Sequence, residues 1–291
     1  MTTTASEIPG WPGFLAARAT RSVLRAGPGL IAAVLLLGLV TVAALWPGLL
    51  ARYDPDVIDL AASLDGPNAA HWFGTDQLGR DVFARVVHGA RHSLLLGISA
   101  TALGAVGGAM VGLAAGLGGR LLDGLLMRVA DILLAFPELL LALVVISVMG
   151  PGPVNAAVAI GVAAIPTYAR VVRSSALVVR RAPYLDAAVA LGQSRAHILF
   201  RHVVPNTLGP LLVLATAGVG TATIAGSALS FLGLGTRPPV PEWGAMLSEG
   251  RNFVESAWWI VVFPGAAIAA TVVSVTVVGR AARLRVEGRP R

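Results

Sequence analysis

Apolar and polar positions along this chain are segregated into long blocks, and the apolar blocks recur six times. The first, residues 28–50, lies in a stretch without charge between Arg25 and Arg52. The second covers 93–119 and is also uncharged, while the third, 132–149, holds a single acid, Glu138. The remaining blocks cover 154–172, 206–232 and 257–279. A helix crossing ~30 Å of hydrocarbon needs about 20 mostly apolar residues, so each block predicts one membrane span. The expected fold class is an all-α integral membrane protein with six transmembrane helices. The layout that follows is a tail (1–27), a first helix (28–50), an external loop (51–92), a five-helix core (93–279) containing a 173–205 connection, and a basic tail (280–291).

Arginine placement predicts the orientation. Sixteen of the 22 basic residues fall in the two tails, in the 120–131 connection, or between Arg170 and Arg201. Six, Arg52, Arg80, Arg85, Arg91, Arg237 and Arg251, fall on the opposite side. The positive-inside rule then puts both termini in the cytoplasm. The first apolar block is longer than the ~7–15 residues of a secretory signal, so it is expected to stay as the first span.

Composition narrows the classes. Hydrophobic residues make up 56% and charged residues 13%, against about 25% charged in soluble domains. A cytosolic enzyme or a disordered chain is thereby excluded. The formal charge of +7 has a membrane explanation before a nucleic-acid one. The chain lacks cysteine, which excludes disulfides, thiolate metal sites and lipid attachment through a thiol.

The 173–205 connection carries the most information. Good helix formers from Tyr184 to Leu191 follow Pro183, which suits a first helical turn. Gly192 interrupts them, Ser194 can cap a second short helix, and Pro205 is expected to stop that helix before the fifth span. Two short helices meeting at a glycine make a protrusion. Read from the residues alone, it either docks into another protein or lies on the lipid surface.

The order Asp186-Ala187-Ala188, three residues, Gly192, nine residues, His202, one residue, Val204-Pro205 resembles the EAA loop of bacterial ABC importer permeases. Asp stands for the family's Glu, His for Ile and Val for Leu. Residues 71–82 (HWFGTDQLGRDV), 89–94 (GARHSL), 134–137 (LAFP), 231–235 (FLGLG) and 243–247 (WGAML), with Pro238 and Pro239, resemble segments of the dipeptide, oligopeptide and nickel group, C-type subunit. After the last span this chain has Gly279-Arg280 and a basic tail where relatives carry an acidic ending.

The resemblance implies one of two permease subunits of an importer in the bacterial inner membrane, with no catalysis of its own. ATP and Mg would sit on two partner ATPases, and an external binding protein would deliver a di- or oligopeptide. Nickel or another small solute is the alternative cargo. Asp186, Ala187, Ala188, Gly192, His202 and Pro205 would form the ATPase-coupling element. The further expected partner is membrane lipid, with no nucleic acid.

Other features are weighed on their own residues. Gly74 to Asp81 has the spacing of a phosphate loop, but Arg80 and Asp81 stand where that loop needs Lys and Ser or Thr. His88 and His92 lack a third ligand. Asp54, Asp56, Asp59 and Asp65 lack a calcium loop's glycine and terminal Glu. Gly104, Gly108, Gly112 and Gly116, extended by Ala100, form a small-residue stripe suited to close packing. That packing is expected within the fold, a sliding contact with a partner permease being the alternative. Pro137, Pro166 and Pro264 are expected to kink spans. Glu138, an acid at membrane depth, is expected to face a cavity, pair with an arginine or stay protonated. A membrane-embedded enzyme would need a nucleophile and base or a metal set at that depth. No histidine lies in a predicted span, which argues against it. A channel or secondary transporter would call for inverted repeats or several intramembrane charges.

Overall fold

The computed structural model describes residues 27–286, and within them every regular element is a helix. Of the predicted tails, residues 1–26 and 287–291, with Arg18, Arg21, Arg25, Arg289 and Arg291, lie outside the described residues, whereas 280–286 continue the last helix. The long elements are α1 (Pro28–Leu45), α2 (Val82–Leu117), α3 (Arg120–Leu134), α4 (Glu138–Met149), α5 (Pro153–Val179), α8 (Val204–Phe231) and α10 (Trp259–Val286). Shorter ones are α6 (Pro183–Ala190), α7 (Arg195–Ile198) and α9 (Trp243–Gly250). Five helices are long and apolar enough to cross a membrane, or six spans if the bent pair α3–α4 counts as one.

The glycine stripe sets the core. A Cβ on Gly104 would meet the Gly161 carbonyl at 3.0 Å, one on Gly112 would meet Val172 Cβ at 2.7 Å, and one on Gly116 would meet Ala176 Cβ at 2.8 Å. Only glycine lets the two backbones approach this closely. The contacts advance together along both sequences, so α2 and α5 run parallel. The stripe packs within the fold, as its residues suggested. By contrast Gly97 faces Thr223 while Gly226 faces Leu96, which makes α8 antiparallel to α2.

Two parallel helices need a returning segment between them, and α3–α4 supplies it. It is a broken third span, with the break at Pro137, one of the three prolines expected to kink spans. The chain breaks between Leu134 and Glu138 and the axis turns by 97°. Pro137 disfavours helical geometry at Phe136, so the bend falls there. At twelve residues, α4 rises about 18 Å and cannot cross the hydrocarbon by itself. Pro166 and Pro264, in contrast, sit inside continuous helices.

Two further boundaries differ from expectation. Helix α2 starts at Val82, not near Ser93, because Asp81 caps it by accepting from Ala84 N at 2.7 Å. The polar residues that argued for a loop, Arg85 above all, are absorbed by tertiary pairing. Pro205 does not stop a helix: one helical stretch continues from Ala196 to Phe231. The reason is a π turn, Leu199–Val203, in which Val204 N bonds Leu199 O. A wider turn accommodates the register change where Pro205 has no N–H to offer.

Candidate functional site: a helical corner and a membrane cavity

Five of the six predicted coupling residues lie on or beside the corner between α6 and α7, and Pro205 opens the helix that follows. Asp186 and Ala187 are on α6, and their side chains fall outside those described. Ala188 is buried, as is Leu185 beside it. Gly192 has φ +74°, and Gln193 N bonds back to Ala188 O at 3.1 Å, the closure of a Schellman cap. Ser194 Oγ accepts from His197 N at 3.3 Å, so the serine caps α7 as its position implied. His202 Nε2 donates to Gln193 Oε1 at 3.1 Å, tying the π turn back to the corner. The corner is thus cross-braced and continuous with α8. Its outer surface presents exposed Tyr184, Leu191 and Phe200, bulky side chains of the kind that anchor in a partner's pocket.

Near this end, α3 is tied to α5. Arg173 forks onto Asp123, with Nη2 to Oδ2 at 2.7 Å, and Arg170 pairs with Asp131. Both pairs are partly or largely exposed, so each contributes little, about 0–1 kcal/mol.

Glu138 lies apart from the corner. It is the first residue of α4 and faces a cavity of about 210 Å³ among α2, α5 and α8. Thr101, Thr167, Tyr168, Gly218 and Thr221 also line it. Of the three settings expected for Glu138, the lining of this cavity is where it lies. It has no ion pair or hydrogen bond among the described residues.

Sequence reasoning missed a polar knot at the other end. Arg80, 2% exposed, donates from Nε to Asp76 Oδ2 at 2.6 Å and from Nη2 to Glu249 Oε2 at 2.9 Å. Arg85 is buried beside the same acids and donates to the carbonyls of Pro55 and Pro239. Glu242 caps α9 by accepting from Gly244 N and Ala245 N, and it also accepts from Ser93 Oγ at 2.9 Å. Trp243 and Trp259 donate their indole N–H groups to Val86 O and Thr75 O. The phosphate-loop spacing from Gly74 to Asp81 is therefore a tight structural turn, with Asp76 occupied by Arg80. The one legible signal was the clustering of Arg and Asp beside glycines.

His88 Nδ1 meets its own helix at Ala84 O, 2.9 Å away. No group of three metal-binding side chains occurs among the described residues. Asp54 and Asp59 accept from backbone N–H groups of their own turns.

Residues 108–291 match the family described as binding-protein-dependent transport system inner membrane component. The dipeptide transport system permease protein DppC of Alkalihalophilus pseudofirmus is 46% identical over 216 residues, covering 74% of this chain and 71% of the relative. The probable D,D-dipeptide transport system permease protein DdpC of Escherichia coli is 40% identical over 88% of this chain and 86% of its own length. The glutathione transport system permease protein GsiD of Pectobacterium atrosepticum is 40% identical over 86% and 83%. Among solved structures, an inward-facing form of the methionine ABC transporter MetNI aligns with TM-score 0.55 at 18% identity. It covers 71% of this chain and 96% of that one, a likeness of fold.

Proposed function

Because the chain belongs to the family of binding-protein-dependent transport system inner membrane components, we propose that it forms half of the path by which an ATP-driven importer moves di- or oligopeptides. A second permease subunit forms the other half. Two ATPases that hold ATP and Mg dock on the α6–α7 corner, and an external binding protein delivers the peptide. The chain performs no chemistry; it converts ATPase closure into helix movement. Its place is the bacterial inner membrane, and the arginine distribution supports cytoplasmic termini and a cytoplasmic corner. The peptide names of the relatives favour peptide over nickel as cargo.

The observation that carries this reading is the braced corner running without a break into α8. Coupling requires an element whose arrangement both sites can bias, and a rigid corner continuous with a core helix fits that need. Gly192 has open space around it, so a substitution acts there through φ alone. Gly192→Val, β-branched at positive φ, is expected to leave membrane insertion intact but lower peptide uptake at least about tenfold, since a distortion costing ~1.4 kcal/mol suffices. Gly192→Asn, which tolerates this φ, is expected to retain most uptake. Normal uptake by the valine variant would sink the coupling role. The assembly is tested by tagging the chain and solubilising gently. Co-purification of a second permease and ATPases is expected, whereas a chain that purifies alone under conditions preserving a known importer points to a channel or secondary transporter.

A further inference from the structure

Two features of the α2–α5–α8 cavity remain unaccounted for by helix packing. Glu138 brings a carboxylate to the cavity mouth without a counter-charge among the described residues. Thr101, 5% exposed, also lines the cavity, and its hydroxyl is buried just behind the wall without a hydrogen-bond partner. Acids at membrane depth persist where something compensates them, and a buried polar atom without a partner costs free energy that a ligand can return. Thr167 and Thr221, exposed residues near the middle of their helices, add two more hydroxyls; Thr221 Oγ1 donates to Gly218 O, so its oxygen serves as an acceptor. Glu138 is the one acidic or basic residue of the lining among the described residues, so in its ionised form it favours a cation. At about 210 Å³ it is below the range of pockets that enclose a whole drug-sized ligand, and it suits one end of a molecule.

We propose that Glu138, with the hydroxyls of Thr101, Thr167 and Thr221, is a transient binding station for the α-ammonium group of the transported peptide. An ammonium donates three hydrogen bonds and accepts none, and the wall offers one carboxylate and several hydroxyl oxygens as acceptors. A single charge with neutral helpers is also weak enough to release, as a conducting pathway requires. The assignment rests on the peptide-importer reading above.

The test exploits the absence of cysteine from this chain. Thr221→Cys in the full purified complex is treated with a small thiol reagent, and the mass shift of this subunit reports that position alone. Thr167→Cys serves as a second reporter should the first variant assemble poorly. Dialanine is expected to slow labelling about tenfold, the scale of a charge-assisted hydrogen bond. N-acetyl-dialanine is expected to give no protection, and Glu138→Gln is expected to abolish protection by dialanine. Equal protection by both peptides, protection that survives Glu138→Gln, or reporters that do not label would each overturn the station. Loss of the second permease from the purified Glu138→Gln complex would also overturn it and make Glu138 a subunit contact. Uptake by the wild-type complex separates the two levels: a complex that imports no peptide refutes the importer reading and the station with it. Import without protection refutes the station alone.

Discussion

Single glycines show how one missing Cβ can matter or not. Gly79 has φ +72°, and a Cβ there would collide with the backbone carbonyl of Asp59. Neither partner is a flexible side-chain end, so relief must come from the turn that orients Arg80. Gly79→Ala is expected to destabilise the protein by about 2–4 kcal/mol, combining positive-φ strain with the clash. Gly38 lies inside α1 with nothing near its Cβ. Gly38→Ala is expected to be neutral or to gain about 0.5–1 kcal/mol from helix propensity. Thermal melts of the two variants in one detergent check the contrast, and equal melting temperatures would contradict it.

Between elements, packing of small residues outweighs charge. The ion pairs joining α3 and α5 stand in partly exposed positions, whereas the glycine face of α2 is buried against α5 along its length. Without a hydrophobic drive between helices in lipid, this close contact is what holds the pair. Gly112→Val would place a side chain where the Ala169 carbonyl and Val172 already sit. The expected cost is at least about 3 kcal/mol, seen as loss of monodisperse protein on size-exclusion chromatography. Gly124→Val, in open space on α3, is the control and should elute as wild type.

Across the whole molecule, the polar knot joins segments far apart in sequence. Arg80 and Glu249 are 169 positions apart, and their contact fastens the loop before α2 to α9. Breaking one partner of a fully buried pair costs about 3–5 kcal/mol; Glu249 is partly exposed and Arg80 keeps Asp76, so the expected cost lies below that range. Glu249→Gln keeps the shape and removes the charge, so it should lower the melting temperature and open the 51–81 loop to protease. Combining it with Asp76→Asn should give a non-additive effect, because both acids serve the same arginines. Strict additivity would show that the acids act separately.

The apolar blocks already determined that this chain is a membrane helix bundle, since hydrocarbon thickness dictates both the length and the apolarity of a span. The stripe from Gly104 to Gly116 likewise announced a close helix contact, because helical periodicity places those residues on one face. The order from Asp186 to Pro205 announced the corner, as Gly192 and Ser194 encode local turn and cap geometry. Tertiary structure decided the rest. Arg85 and Arg91 made the start of α2 read as loop, and the acids beside Arg85 come from the preceding loop (Asp76) and from α9 (Glu249). Pro137 marked where the third span bends, but the size of that bend, 97°, and the continuation of helix through Pro205 by a π turn are not registered by hydropathy. Glu138 was conspicuous from its charge, but its company with Thr101 and Thr221 arises where three helices cross. Local pattern specifies what each segment is, and only packing specifies which distant polar groups become partners.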